Sequence, residues 1–304
     1  RKKWYQVMLS RCMSHTLSIV GAGRVGRALG KRLGALGWRV GAVVTRSAST
    51  ARDAVRAMDA GEPYGKLTNQ VFKADTILMA APDGQLAVIA RALAKIGGAD
   101  CRGKIVLHTS GALDRTVLAS LARLGASTGS LHPMQTFSGR GTPRLKGAIF
   151  AIEGDPRAQS AARKIARALG GIPVEIDGER KPAYHAAGVL VAGHALGLVE
   201  GAAQILMSCG FTRRRAIEAL LPLMRQMLDN YEQHGPRAAW TGPIPRGDFG
   251  TVARHRRALR PESPELQSAY AALALLSAKV LLPNPESAMR RLKKALLISR
   301  GGSQ

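Results

Sequence analysis

Residues 16–44 read TLSIVGAGRVGRALGKRLGALGWRVGAVV, and the fold follows from how that stretch divides. Thr16–Val20 is a short β-prone run. Glycines then stand at 21, 23 and 26, the G-x-G-x-x-G spacing. Val25, Leu29, Leu33 and Leu36 recur at helical intervals, and Gly37 supplies a stop. Arg39–Val44 reads as a second strand. Strand, glycine turn, helix and strand within about thirty residues make a βαβ unit. In such a unit Gly21 permits the tight turn, Gly23 lets the backbone approach a pyrophosphate, and Gly26 lets helix pack on sheet. The helix start then offers unpaired N–H groups to the phosphates.

The alternation continues beyond this unit. Thr76–Met79 reads as strand, Gln85–Lys95 as helix, Lys104–His108 as strand and Asp114–Leu124 as helix. A strand at Ala148–Ile152 and a helix at Pro156–Leu169 complete the series. Alternating β and α predicts an N-terminal Rossmann domain of the α/β class, a doubly wound and mostly parallel sheet covered on both faces. After Asp177 the pattern changes. Pro182–Met207 reads as one helix containing scattered glycines, and Thr212–Tyr231 and Pro264–Leu281 are helical too. Between the last two lies the turn-rich piece GPRAAWTGPIPRGDFG (235–250). The second half is therefore expected to be an all-α C-terminal domain.

The expected organisation is a nucleotide-binding domain over 13–155 and a linker region over 156–177 that includes its last strand and helix. A helical substrate and dimerisation domain over 178–298 and a frayed tail over 299–304 follow. Residues 1–12 (RKKWYQVMLSRC) are basic but lead into no apolar signal core, and Met13 is the more natural start, so they are set aside as an extension.

A length of 304 residues suits two domains, and 46% hydrophobic content excludes a disordered chain. The formal charge of +25 suggests nucleic acid as a partner, but its distribution argues against that reading. Residues 1–155 carry 23 basic and 9 acidic residues (+14), and 156–304 carry 22 and 11 (+11). No block reaches five like charges, and aromatics at 4% are too few for a stacking platform. Cys12, Cys101 and Cys209 lie far apart without C-x-x-C spacing, which argues against a disulfide framework or a metal site and suits a reducing cytoplasm. The longest apolar stretches, Ala186–Val199 and Ala269–Leu282, are broken by His194 and Lys279 and read as too short to cross a bilayer.

The end of the second strand discriminates between cofactors. Enzymes that use NAD place a carboxylate there for the ribose 2′-hydroxyl. Here Val44 is followed by Thr45, Arg46 and Ser47, with no acid until Asp53. An arginine flanked by hydroxyls suits a 2′-phosphate, so the reading is NADP(H), with Arg46 as a solvated loop arginine the alternative. The expected cofactor residues are Gly21, Gly23, Arg24, Val25, Gly26, Thr45, Arg46 and Ser47. Ala80, Pro82 and Asp83 follow the strand at Thr76–Met79, and Ser110 follows the next, so both groups fall at the carboxyl edge of the sheet, where ligands bind. Each is either a nicotinamide or ribose contact or a capped turn.

Five segments carry a wider resemblance: SIVGAGRVGRALG (18–30), LHTSGAL (107–113), LHPMQTF (131–137), KPAYHAAG (181–188) and TGPIPRGDFGTVARH (241–255). With them the chain, from about Leu17 to about Leu282, resembles Rossmann-like oxidoreductases whose C-terminal half is a helical domain of unknown function. These are relatives of ketopantoate reductase, pyrroline-5-carboxylate reductase and the β-hydroxyacid dehydrogenases. The resemblance implies NADPH-dependent reduction of a small 2-oxo acid such as ketopantoate, and a homodimer formed through the helical half.

Such a reduction needs a positioned acid for the heteroatom. Lys181 and His185 are four apart, on one face of a helix that Pro182 suits at its start. Their spacing is similar to the Lys-xxx-Asn pair of β-hydroxyacid dehydrogenases. That likeness implies Lys181 as proton donor and His185 as orienter or alternative acid. The alternative is a solvated lysine near a helix end and a core histidine. His132 and Gln135 are expected as polar tips lining the cleft. Thr241, Arg246 and Asp248 are expected to grip a carboxylate substrate, or else Arg246 and Asp248 tie their loop to the helices. Family members carry Asn about eight residues beyond this histidine, where this chain has Gly193 and His194. At 100° per residue those positions fall about 80° and about 180° round from His185, so His194 replaces the amide poorly. Reduction of an imine or pyrroline, or binding of NADP(H) by a sensor or scaffold without chemistry, are the competing functions.

Overall fold

A computed structural model of the protein describes residues 15–141 and 143–296. The expected extension at 1–12 and tail at 299–304 lie outside the described residues.

Apolar side chains alternate along the first strands, and that alternation divides the core in two. Strand β1 (Thr16–Val20) sends Leu17 and Ile19 to one face and Val20 to the other. In β4 (Thr76–Met79), Leu78 joins the first core, while Ile77 and Met79 join the second. Helices α1 (Arg24–Ala35) and α2 (Ala48–Met58) cover the first face through Leu29, Leu33, Ala54 and Met58. Helix α3 (Asp83–Gly97) covers the second through Leu86, Ala90 and Leu93. Both faces of the sheet are thus buried, the condition a largely parallel sheet requires.

The sheet has eight strands in the order β3-β2-β1-β4-β5-β6-β7-β8. The others are β2 (Arg39–Val44), β3 (Glu62–Tyr64), β5 (Ile105–His108), β6 (Ser127–Pro133), β7 (Ile149–Gly154) and β8 (Ile172–Glu175). Every neighbouring pair is parallel except β6 with β7. This is the mostly parallel doubly wound sheet expected, with one antiparallel step. The strands missed by sequence are informative. β3 and β8 are short edge strands containing Pro63 and Pro173, which an edge tolerates because one side needs no N–H donor. β6 reads STGSLHP, poor in β-formers, yet it is central. Gly129 permits this, since a Cβ there would lie 2.5 Å from the Glu153 carbonyl oxygen on β7.

Other elements depart from the sequence reading. The expected helix at Asp114–Leu124 is a 3-10 turn (Arg115–Leu118) running into one turn of α-helix, α4 (Ala119–Ala122). Helix α5 (Pro156–Ala168) begins on an Asp155 cap, whose carboxylate accepts from the Arg157 and Ala158 N–H groups. The single helix expected over Pro182–Met207 is α6 (Lys181–Val189), a π turn (Leu190–His194) and α7 (Ala195–Ser208). The π turn adds a residue to the helical repeat, so the 80° and 180° positions assigned to Gly193 and His194 do not hold. The helical run Gly178–Ser208 spans 31 residues and is, by length and composition, apolar enough to cross a membrane. That corrects the count based on Ala186–Val199 alone.

The chain forms two compact units, one through Ala192 and one from Gly193. Helix α6 therefore belongs with the sheet. In the second unit α8 (Arg213–Ala239) kinks at Gly235 (φ 78°) and runs further than expected, which shortens the turn-rich piece. Helix α9 (Phe249–Ala258) starts at the end of that piece and was not anticipated, α10 spans Pro264–Leu281 as expected, and α11 (Pro285–Leu296) was not anticipated either. A small core of Phe249, Val252, Ala274, Ala278 and Leu292 joins α9, α10 and α11.

Candidate active site

The glycine turn has the shape a dinucleotide needs. Gly21 adopts φ +90°, and a Cβ there would sit 2.7 Å from the Ala80 carbonyl, because the turn after β1 lies against the end of β4. A Cβ on Gly26 would meet the Gly21 carbonyl oxygen at 2.4 Å. At Gly23 a Cβ would meet nothing within 4 Å. So Gly21 and Gly26 are required by packing, whereas Gly23 keeps the space before the helix clear. No side chain caps α1, leaving its first N–H groups free for an anion. Arg24 is exposed in that first turn and Val25 is half-buried. A cavity of about 460 Å³ opens beside it, with Arg24, Arg27 and Lys31 among its lining residues.

At the end of β2 the hydroxyls are partly committed. Ser47 caps α2, accepting from the Thr50 N–H at 3.3 Å, and the Thr45 hydroxyl donates to the Ser47 carbonyl at 2.9 Å. Arg46 is exposed and makes no ion pair among the described residues. Its guanidinium beside the start of α2 suits a 2′-phosphate, so these residues fit NADP(H). Ala80 and Pro82 form the turn between β4 and α3, and Asp83 opens α3 from an exposed position.

Strands β1, β4, β5 and β6 are parallel, so their carboxyl ends share one edge, and a polar cluster forms at that edge. Lys181, at the start of α6, is 0% exposed. It is not the solvated lysine of the alternative reading. Its Nζ donates to the Ser110 carbonyl at 3.0 Å and to the Ser130 hydroxyl at 2.9 Å. Burial lowers its pKa from 10.5 to about 8, against the opposing pull of Glu153, Asp114 and Asp83. Glu153 is buried on β7, where burial raises its pKa, and its carboxylate accepts from the Arg115 N–H at 2.8 Å.

Three histidines surround the lysine. His108, fully buried, accepts at Nδ1 from the Ser110 N–H (3.2 Å), so its Nε2–H donates to the Asp114 carbonyl (3.0 Å). Burial, then the Lys181 charge, lowers its pKa to about 4. His132 on β6 is half-buried, and its pKa falls to about 4 through burial, then Lys181, His185 and His108. Its ring meets that of His185 edge to face, centroids 5.6 Å apart, and its Nδ1 lies 3.0 Å from the Tyr184 hydroxyl.

Some expected site residues are occupied elsewhere. The Ser110 hydroxyl accepts from the Ala112 and Leu113 N–H groups, so this residue serves its turn and the lysine. Gln135 donates to the Arg144 carbonyl and accepts from the Thr136 N–H, both within its own loop. In the second unit Thr241 and Arg246 are exposed, and Asp248 caps α9 by accepting from the Thr251 N–H at 3.0 Å. The described residues contain no Arg246–Asp248 ion pair. Sequence reasoning missed Tyr184, Ser130, Glu153 and Asp114, whose carbonyl accepts from His108. Two signals were present: Tyr184 lies three residues beyond Lys181 on the same helix face, and Ser130 lies two before His132 on the same strand face.

Two family descriptions match the chain, a Rossmann-like domain over residues 10–133 and a domain of unknown function (DUF2520) over residues 148–276. No curated protein matches the sequence. Among solved structures the fold is similar to a proposed NADP oxidoreductase from Bacteroides fragilis, with 23% identity, 86% of this chain and 96% of that one covered, and a TM-score of 0.67. It is similar to the reductive aminase of Aspergillus terreus, solved with NADPH, at 16% identity, 88% and 94% coverage and a TM-score of 0.64. A pyrroline-5-carboxylate reductase from Coxiella burnetii is similar at 14% identity, 93% and 96% coverage and a TM-score of 0.55. At these identities the likeness is one of fold.

Proposed function

The chain is a Rossmann-like domain joined to a DUF2520 domain, and on that premise we propose that it is an NADPH-dependent oxidoreductase reducing the carbonyl of a small 2-oxo acid of the ketopantoate type. The observation that carries this reading is a buried ammonium, Lys181, at the same sheet edge as a glycine turn fit for a dinucleotide. Gly21, Gly23, Arg24, Val25 and Gly26 would hold the pyrophosphate. Thr45, Arg46 and Ser47 would hold the 2′-phosphate, and Ala80, Pro82 and Asp83 would border the nucleotide. Bound NADPH supplies a hydride to the carbonyl carbon. Lys181 stabilises the negative charge that develops on the oxygen and gives it a proton, so that an alcohol results and the lysine recovers its proton from solvent. A pKa near 8 suits it to that exchange at neutral pH. His185, four residues on, orients the substrate.

Association into a homodimer is supported by large apolar side chains left exposed in the second unit, among them Leu196, Leu223, Leu228 and Val280, and is tested by sedimentation mass. Reduction of a C=N bond is the second reading, favoured by the fold likeness to a reductive aminase and a pyrroline-5-carboxylate reductase.

The deciding experiment follows NADPH binding by tryptophan fluorescence and melting temperature, then NADPH consumption over a panel of 2-oxo acids and cyclic imines. Absence of binding overturns the oxidoreductase reading. Tight binding with no consumption across the panel favours the sensor or scaffold instead.

A further inference from the structure

Resting on the reductase reading, we propose that Ser130 is the positioning residue of Lys181. Its neutral hydroxyl holds the buried ammonium in one orientation without an ion pair, so the lysine keeps a proton it can give away.

A buried polar side chain in a central strand needs a partner. Ser130 is fully buried on β6, and its register partners on the two neighbouring strands are His108 on β5 and Glu153 on β7. Residues in register point to the same face, so the three side chains form one row across the sheet. Backbone pairing on both sides fixes the Ser130 Cα, and one torsion then places its oxygen. That hydroxyl lies 2.9 Å from Lys181 Nζ, contributed from 51 residues further along the chain, and among the described residues this is its one hydrogen bond. An apolar residue would bury there at no polar cost, so what serine adds is the oxygen.

An ammonium carries three hydrogens. One goes to the Ser130 hydroxyl and a second to the Ser110 carbonyl at 3.0 Å. That carbonyl belongs to a turn pinned by the Ser110 N–H on His108 Nδ1 and by the Ser110 hydroxyl, which accepts from the Ala112 and Leu113 N–H groups. Two fixed acceptors set the direction of the remaining N–H, which has no acceptor among the described residues and is the one left for the substrate. Glu153 stands beside Ser130 in the row, yet the described residues contain no Glu153–Lys181 ion pair, and the carboxylate is engaged by Arg115. A carboxylate in contact would hold the proton tightly, whereas a hydroxyl and a carbonyl orient the ammonium and let the proton go. The other titratable groups around the lysine are Asp114 and Asp83, which favour its charged form, and His108 and His132, whose pKa values near 4 leave them neutral. His185 lies against His132.

The test reads the lysine directly, by ¹⁵Nζ NMR of lysine-labelled protein titrated from about pH 6 to about pH 10, with the Lys181 signal identified by its loss in Lys181→Met. Wild type should titrate near 8. Ser130→Ala removes an acceptor of the ammonium and so disfavours the charged form; the midpoint should fall by about one unit. Ser130→Cys, close to serine in size but a weak acceptor, should do the same, and Ser130→Thr, which keeps the hydroxyl, should hold the wild-type midpoint. On the best substrate of the NADPH panel, Ser130→Ala should lose about tenfold in kcat at neutral pH, with KM and NADPH affinity within about twofold of wild type. The alkaline fall of its kcat should move down with the lysine by about one unit, because only the protonated lysine donates. A lysine midpoint and a kcat profile that stay in place in folded Ser130→Ala or Ser130→Cys overturn the inference, even if the variant melts lower. A wild type that binds NADPH but reduces nothing overturns the reductase reading, while a lysine midpoint still shifted in Ser130→Ala would uphold Ser130 as the partner that sets it.

Discussion

Replacing Lys181 with methionine separates the cost of burying a charge from the value of the bonds it makes. The lysine pKa falls from 10.5 to about 8 on folding. At ~1.36 kcal/mol per unit, that depression corresponds to about 3 kcal/mol of unfavourable burial below pH 8. Between pH 8 and 10.5 the unfolded chain holds this proton while the folded chain has released it. Stability therefore climbs with pH across that window, by up to ~1.4 kcal/mol per unit, and the penalty is gone above it. Glu153, Asp114 and Asp83 are the acids that hold the folded pKa up. His108 and His132, with pKa values near 4, are already neutral there. Lys181→Met removes the climb. It also removes the donor from the Ser110 carbonyl and the Ser130 hydroxyl, a loss of about 1–3 kcal/mol for each acceptor left unsatisfied. Since that second loss does not depend on pH, the difference in stability between the two proteins isolates the titration. Urea unfolding in one-unit steps from about pH 7 to about pH 11 should show wild type gaining about 3 kcal/mol on the variant. A difference that is flat, or that shrinks with rising pH, would refute the buried ammonium. Turnover should fall as pH rises through about 8 in wild type, and Lys181→Met should bind NADPH normally yet turn over very slowly at every pH.

Gly23→Ala should leave unfolding within about 0.5 kcal/mol of wild type, since its Cβ meets nothing, while NADPH affinity drops at least about tenfold, ~1.4 kcal/mol. Equal affinity by fluorescence titration would remove the pyrophosphate from that turn. Arg46→Glu changes an exposed residue, so melting should hold and the ratio of NADPH to NADH affinity should fall by about tenfold or more; an unchanged ratio would mean that the 2′-phosphate is bound elsewhere. Asp248→Ala removes the cap of α9 and should lower stability by about 1 kcal/mol in urea unfolding. A rise in KM for a carboxylate substrate with undiminished stability would instead make Asp248 a substrate contact.

Much of the first unit was legible because its signals are local. The turn at 21–26 needs glycine for reasons set by residues within a few positions of it and by the adjoining strand. Strand β4 announces itself by four consecutive buried residues. The second unit was legible only as helix: Phe249–Ala258 lay behind the proline-rich loop, and its Asp248 cap was read as a substrate group. Strands β3 and β8 escaped notice because three or four residues, mostly exposed and including a proline, carry no periodicity.

What the sequence determined by itself was the Rossmann-like half: a βαβ start, an alternating series that must bury both faces of a sheet, and an arginine, not a carboxylate, after the second strand. Those conclusions rest on backbone conformation and side-chain spacing, which neighbours in the chain dictate. Only the tertiary structure decided the state of Lys181. Its partners stand 71 and 51 residues away in sequence, on a turn after β5 and on a strand poor in β-forming residues. The charge of a lysine, the tautomer of a histidine and the pKa of both depend on which groups surround them and how much water is excluded. That is fixed when α6 packs against the carboxyl ends of β5 and β6, and no local pattern encodes it.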